Sequence, residues 1–406
     1  MRSKKIKVTK KKMKHELFKA MAQQGYTIRG SKVSSPKIIT KEDIRKLHYY
    51  QKKSRVIEDM NFFNEFGLNY IDTYFANGRD VNPETFDPEL VPVSADDWTG
   101  RLFRLATLLW SVPVSKGYGR RMRFLVMDKS NKKLAGIIAL GDPVFNLKVR
   151  DDFIGWNSND RKERLFNVMD AYVLGAVPPY NQLLVGKFLA GLLSTNEIRQ
   201  YFAEKYKDKT TIIQGKNKPA ELVLITTTSA LGRSSVYNRI FVDRNGQRDH
   251  LLRSIGYTAG FGHFHVPENV FNLMRVFLSE RNEKYADAHQ YGNGPNWRMR
   301  VIRKTMELLG YSKTPLLQHG IQREVFISPL AKNYKEYLRG EAIQPDYIDL
   351  TLKEYTLFFK KKYLVPRYHR RPDIINFNSQ NVYTEICNLM SDEEDLEGMM
   401  TNVIYR

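Results

Sequence analysis

A single cysteine, Cys387, stands among 406 residues. Neither an intrachain disulfide nor a zinc site built on several thiolates can form from it. This scarcity matches a reducing compartment, and a cytoplasmic protein is expected. No run of about 18 apolar residues occurs, so no membrane-spanning helix and no membrane partner are expected. The basic start of the chain is not followed by an apolar stretch, so it does not read as a secretory signal. A Walker loop, an HExxH helix and a Ser–His–Asp order are all missing, which leaves no ready-made hydrolase or nucleotidase reading. Acidic residues are also in deficit. Asp+Glu number 44 against 65 Lys+Arg, a net charge of +21.

What is present suits a folded globular chain. Hydrophobic residues make up 42% and aromatics 12%, enough for a large core. A cationic surplus of this size attracts polyanions, and nucleic acid is the expected partner. Part of the surplus sits in Arg2, Lys4, Lys5, Lys7, Lys10, Lys11, Lys12 and Lys14, but the remainder of the chain is still positive.

The expected organisation has five parts. A basic, partly mobile tail covers 1–35, and a mainly helical region covers 36–112. An α/β core covers 113–280. Residues 281–345 form the end of that core or a small appended domain. A helix, a basic strip and an acidic tail make up 346–406. Thr40 and Asp43 resemble a capping box, and Ser94 and Asp97 mark a second helix start. Residues 68–93, with Gly78, Pro83, Pro88 and Pro92, read as loop. Arg123–Asp128 and Leu134–Gly141 read as a β-hairpin, followed by helical character around 158–168. Asp170–Pro179 reads as a strand and Gln182–Leu193 as a helix with one apolar face. Leu222–Thr228 and Ser254–Val266 are further strand regions, with a helix after Pro267. Thr351 and Glu354 open a helix expected to run to Tyr363. This order predicts a mixed central sheet flanked by helices.

Five clusters carry candidate chemistry. In the first, a strand stops at Pro178 and Pro179, passes Tyr180 and Asn181, and enters a helix at Gln182. A helix start offers free N–H groups to a pyrophosphate. In the second, Thr226, Thr227, Thr228 and Ser229 end a strand, and Gly232 turns the chain into Arg233, Ser234, Ser235, Tyr237, Asn238 and Arg239. Hydroxyls and arginines at that density suit a phosphate or nucleotide; helix capping is the simpler alternative. In the third, His263 and His265 alternate along a strand and face one side. Glu268 is the only further ligand candidate, so hydrogen-bonded histidines rather than a metal are expected. In the fourth, Arg120, Arg121 and Arg123 precede the hairpin, and Asn296, Trp297, Arg298 and Arg300 mix an aromatic with cations, as base stacking and phosphate contact require. In the fifth, Lys360, Lys361, Lys362, Arg367, Arg370 and Arg371 interleave with Tyr363 and Tyr368, a strip suited to a nucleic-acid backbone. Asp142, Asp151 and Asp152 read as turn residues rather than a nuclease metal site.

The segments WSVPVSKGYGRRMRFLVMD, LAGIIALGDPVFNL, RDDFIGWN, AVPPYNQLLVGKFLAGLL, LITTTSALGRSSVYNR, IGYTAGFGHFHV, GNGPNWRMR and HGIQREVF fall in this order across about residues 100–330. Together they resemble the DruA family of Druantia anti-phage defence systems. The resemblance implies a bacterial defence role alongside other subunits, including a large helicase-like protein. It supplies no catalytic residues. The core also resembles GNAT-type acyltransferases, a superfamily that includes a phage enzyme modifying DNA bases. In that superfamily the strand and loop matching 170–187 hold the pantetheine and pyrophosphate of acyl-CoA. The usual loop is Gln/Arg-x-x-Gly-x-Gly/Ala. Here the glycine, Gly186, comes one residue late and Lys187 replaces the last small residue, so acyl-CoA stays open as a cofactor and no other is expected.

The leading expectation is a defence subunit that engages nucleic acid through a basic cleft between the Tyr180–Gln182 loop and the Thr226–Arg239 turn. The alternative is an enzyme that modifies a nucleobase or transfers an acyl group, with Tyr237, His263 or His265 as acid/base. A pure scaffold for partner subunits is the third class.

Overall fold

A computed structural model describes residues 8–391, with the exception of 31, 39, 115–118, 211–214, 245, 263–265, 284–285, 287–294, 312–316 and 318–319. The chain forms two compact units, each assembled from segments distant in sequence.

The larger unit comprises Val56–Thr258 and Arg323–Leu389. At its centre is a seven-stranded sheet of β1 (Pro88–Pro92), β2 (Arg121–Asp128), β3 (Lys133–Gly141), β4 (Val168–Ala176), β5 (Leu224–Thr228), β6 (Arg253–Tyr257) and β7 (Glu324–Pro329), ordered β6-β7-β5-β4-β3-β2-β1. The expected hairpin is β2–β3, with Arg121 opposite Gly141 and Phe124 opposite Ile138. β4 and β5 are parallel and all the other pairs are antiparallel. A parallel pair needs a long crossover. Here α5 (Val185–Leu192) and α6 (Asn196–Tyr206) supply it, after α1 (Met60–Tyr74), α2 (Trp98–Thr107), α3 (Lys148–Ile154) and α4 (Ser158–Arg164).

Each face of the sheet has its own apolar layer. Met122, Leu140, Met169, Ala171, Ile225 and Phe326 pack with Phe188, Leu189 and Leu192 of α5. Val168, Leu224 and Ile327 pack with Ile154, Trp156 and Tyr337. On the α5 side, the Phe188 ring stacks on Tyr355 with centroids 5.3 Å apart and 3° between planes. Tyr355 belongs to α8 (Leu352–Phe359), which follows α7 (Tyr334–Leu338). Gly191 admits that tyrosine, because a Cβ there would strike the Tyr355 hydroxyl.

Several sequence expectations are refined. Asp97 caps α2 by accepting from Thr99 N at 2.8 Å, and Thr351 caps α8 through Glu354 N at 3.1 Å. The stretch 68–93 is not loop throughout. α1 reaches Tyr74, and β1 forms an edge strand with Pro88 and Pro92 at its two ends, where prolines are tolerated in sheets. A hairpin of Phe241–Arg244 and Gln247–His250 and a helix Gln380–Ser391 were not read from the sequence.

The smaller unit contains helices Lys10–Ala22, Glu268–Ser279 and Pro295–Leu309 and a hairpin of Thr27–Arg29 with Lys32–Ser34. The expected mobile tail is therefore helical from Lys10. Met13, Leu17, Ala20 and Met21 are buried along one side of that helix, a helical spacing hidden among the lysines. Thr40 and Asp43 form their capping box at the start of helix Lys41–Glu58, with Asp43 N 3.1 Å from Thr40 Oγ1.

Candidate nucleic-acid interface

The loop after β4 does not enter its helix directly. Tyr180–Leu183 form a 3-10 turn, Leu184 takes a left-handed φ of 64°, and α5 starts at Val185 rather than Gln182. The left-handed residue resets the helix axis. Tyr180 is fully buried; its hydroxyl donates to Asp128 Oδ2 at 2.9 Å and accepts from Asn131 Nδ2 at 2.8 Å. Burial first, then the Asp128 charge, push its pKa upward. Tyr180 is thus a pillar of the loop. Asn181 is exposed, and its N–H bonds back to Val177 O.

Lys187 sits on the third residue of α5. Its ammonium donates to Ser235 O at 3.3 Å, Val236 O at 3.1 Å and Asn238 O at 2.8 Å. Burial and then the nearby Arg239 charge lower its pKa. The residue that replaces the last small position of the acyl-CoA loop therefore ties α5 to the turn after β5.

Most hydroxyls of that turn are spent internally. Thr226 Oγ1 donates to Asp170 Oδ1 at 2.5 Å and Thr227 Oγ1 to Ala171 O at 2.9 Å. Ser229 is buried, with its N–H on Glu324 O. Ser234 is buried as well. Its N–H donates to Glu324 Oε2 at 2.9 Å, while its Oγ accepts from Tyr237 N at 3.1 Å. No helix starts in this turn, so these bonds are not helix caps; they tie the turn to β4, to Glu324 and to itself. Thr228 is half-buried beside Val325, and Ser235 is exposed. Arg233 and Arg239 are exposed, and neither guanidinium bonds to a described residue. Arg239 holds a left-handed φ of 59°. Tyr237 packs edge-on to Phe326 at 5.5 Å. Burial drives its pKa up to about 12, so its hydroxyl, paired with Thr227, is a proton holder at neutral pH.

The C-terminal basic strip joins the same place. Pro366 has no N–H and its ring crowds the carbonyl four residues back, so an ordinary α-helix cannot run through it. The chain instead widens after α8 into a π turn over Lys360–Leu364, closed by Val365 N–H on Lys360 O, before α9 (Val365–His369). Such turns recur at functional positions. Tyr363 in this turn reaches Arg239 O at 3.5 Å, Arg367 Nε donates to Gln182 O at 3.1 Å, and Arg371 Nη2 donates to Gln182 Oε1 at 2.7 Å. Tyr355 donates to Lys187 O at 3.3 Å. Three segments far apart in sequence, 182–187, 234–239 and 355–371, are thus stitched together. Lys361 and Lys362 are exposed beside them without a hydrogen bond to a described residue, and Arg370 is exposed too.

Other sequence-predicted residues lie elsewhere or are occupied. Arg120 donates to Asp142 Oδ1 and Phe166 O, each at 2.7 Å, and to Val168 O at 3.3 Å. It also lies over the rings of Phe166, Phe202 and Tyr206. Arg121 is exposed at the start of β2. In the smaller unit, Arg298 is held by Glu268 Oε2 at 2.7 Å, Val266 O at 3.2 Å and the Phe271 ring. Trp297 is buried edge-on against Phe271 at 5.2 Å, which removes it as a stacking platform. Arg300 is exposed on the same helix, which Asn296 also enters. His263 and His265 lie outside the described residues. Among the described residues no group of three or more His, Cys, Asp or Glu could hold a metal. Asp151 anchors Arg150, Arg161 and Trp156, and Asp152 pairs with Lys148. An open polar cavity of about 600 Å³ lined by Asp72, Arg79, Asp80 and Gln380 contains none of the predicted residues.

Sequence reasoning missed Lys187 as a latch and Asp170 as a half-buried carboxyl. A lone charge inside the apolar run VMDAYVLGA was the available signal, since charged side chains are seldom buried without a purpose.

The family model described as "Druantia protein DruA" matches residues 39–340. A curated "Druantia protein DruA" of Escherichia coli (strain UMEA 4076-1) is 44% identical over 384 residues, which cover 94% of each chain. No solved structure matches. Among the described residues no helix is long and apolar enough to cross a membrane.

Proposed function

The chain belongs to the Druantia protein DruA family, and from that premise we propose that it serves anti-phage defence by engaging nucleic acid, DNA in the first instance, on the basic surface around Lys187. The observation that carries this reading is the stitching of 182–187, 234–239 and 355–371 around cations that have no hydrogen-bond partner among the described residues. Arg120 and Arg298 show that this chain readily pairs guanidinium groups internally. Arg233, Arg239, Lys361 and Lys362 are exempt from that pairing among the described residues, and their charge is available to phosphates. The overall charge of +21 supplies the long-range attraction.

Salt titration of binding to single- and double-stranded DNA tests the reading. Binding weakens steeply with salt. Replacing Arg233, Arg239, Lys361 and Lys362 together by alanine lowers the slope of log K against log salt by about 3–4, at about 0.9 for each duplex phosphate no longer neutralised. An unchanged slope, or no binding at low salt, overturns it and leaves a scaffold for partner subunits such as a helicase-like protein.

A second reading, an acyl-CoA-dependent enzyme acting on a nucleobase or another acceptor, draws support from the centre of the sheet. β4 and β5 pair only from Val168–Leu224 to Ala171–Thr227, after which β4 continues to Ala176 without β5. A parting pair at that point is what the acyltransferase resemblance implies. Lys187, bound to three carbonyls at the head of α5, occupies the pyrophosphate end and weighs against it. Acetyl-CoA binding, with turnover lost in Tyr237→Phe while DNA affinity survives, would favour this enzyme.

A further inference from the structure

The face of the sheet turned away from α5 carries a polar row that the proposed interface does not use. Arg121 is opposite Gly141, Gly141 opposite Asp170, and Asp170 beside Thr226. Residues directly paired across strands point to the same face, so the side chains of Arg121, Asp170 and Thr226 line up there. Arg123 follows two residues after Arg121 on that side. The register of β3 against β4 slips between Ala139 and Leu140, which leaves Tyr172 as the extra residue of a bulge. A bulge re-aims a side chain. The Tyr172 ring lies over Gly141, where an added Cβ would approach its Cε1 to 3.1 Å. The charges of Arg121 and Arg123 both act on the Tyr172 hydroxyl, so the three side chains are neighbours.

Asp170 is the unusual member. Its Oδ1 accepts from Thr226 at 2.5 Å, and among the described residues it forms no ion pair within hydrogen-bond reach. Arg150 acts on it by charge alone, since its own donors go to Asp151, Val144 O and Phe145 O. Beside it on this face, Val168, Leu224 and Ile327 are closed off by Ile154 and Trp156. Burial raises the Asp170 pKa, although part of the side chain stays open to solvent. A carboxyl kept at such a place without a close counter-ion is costly for folding alone.

We infer that Arg121, Arg123, Asp170 and Tyr172 form a nucleotide site for an amino-bearing base. The arginines take the phosphate as paired guanidinium donors. Tyr172 offers its ring to the base. Asp170, with one oxygen held by Thr226, accepts from the base's exocyclic amino group, as carboxylates do with cytosine N4. Adenine, cytosine and guanine carry that group and thymine does not. The site is on the opposite face from Lys187 and stands whether or not polymeric DNA binds there.

Calorimetric titration of the full chain at low salt with dAMP, dCMP, dGMP and dTMP tests this. The three amino-bearing nucleotides bind at least about tenfold tighter than dTMP, the worth of one good polar contact. Asp170→Asn, nearly the same in shape, reduces that preference to within about twofold. Arg123→Ala weakens all four nucleotides alike, and Tyr172→Leu does the same through loss of stacking. Absence of nucleotide binding at millimolar concentration, or a preference retained in Asp170→Asn, would each overturn the inference. If Asp170→Asn does not fold, Tyr172→Leu decides it: unchanged affinity for all four nucleotides refutes the site.

Discussion

Two basic stretches of similar composition flank the same sheet, and the fold uses them in opposite ways. Before β2, Arg120 turns inward. Its guanidinium spans Asp142, two carbonyls and three aromatic rings. After β5, Arg233 and Arg239 turn outward from a turn whose backbone is already held, the Ser234 N–H by Glu324 and the Asn238 and Arg239 carbonyls by Lys187 and Tyr363. The first stretch uses its charge to hold the fold. In the second, the fold holds the backbone and leaves the charge for a ligand. Cation density is therefore a poor guide to a binding surface. The better guide is cations whose surrounding backbone is anchored while their own charge is left unpaired.

Removing the inward arginine should have the largest effect. Arg120→Ala is expected to cost about 2–4 kcal/mol of stability, because Asp142 and two carbonyls lose a mostly buried donor. Chemical denaturation reads that loss, and the salt slope for DNA should stay as it was. If the slope falls instead, the division between the two stretches is wrong. Next comes the latch. Lys187→Met should cost about 1–2 kcal/mol, since three carbonyls lose their donor. It should also weaken DNA binding by loosening the turn that presents Arg239. Arg233→Ala is the smallest change, within about 0.5 kcal/mol in stability for an exposed side chain. It should still lower the salt slope by about 0.9.

Asp170 sharpens the contrast, as a half-buried carboxyl bound by a hydroxyl where Arg120 has a counter-ion. Its folded pKa is raised above the unfolded value, so the folded state binds the proton more tightly. Its contribution to stability is then greatest at acid pH and declines as pH rises from about 3.9 through the raised value. Thermal melts of Asp170→Asn should show the variant gaining on the wild type above that window and losing the advantage below it. Parallel melting curves across pH would contradict this assignment.

Much of the fold was legible because its signals are local. The β2–β3 hairpin, the strand that ends at Ala176 just before Pro178, the Asp97 cap and the Thr351 cap all depend on residues within a few positions of one another. The helix of 10–22 and the edge strand β1 were missed, because lysines masked one apolar stripe and prolines masked a strand that tolerates them. The candidate site was legible only as a set of donor-rich segments. Arg233, Arg239 and the Lys361–Lys362 pair looked no different in sequence from Arg120 or Arg298.

The sequence by itself determined a mixed α/β chain with a cationic surplus and the membership of its family, since composition, periodicity and motif order are written along the chain. Only the tertiary structure decided which cations face outward. Several that are internally satisfied find a partner far away in sequence: Arg120 at Phe166 and Val168, Lys187 at Ser235–Asn238, Arg371 at Gln182. A hydrogen bond needs its partner within about 3 Å, and folding alone brings residues so distant in sequence to that distance.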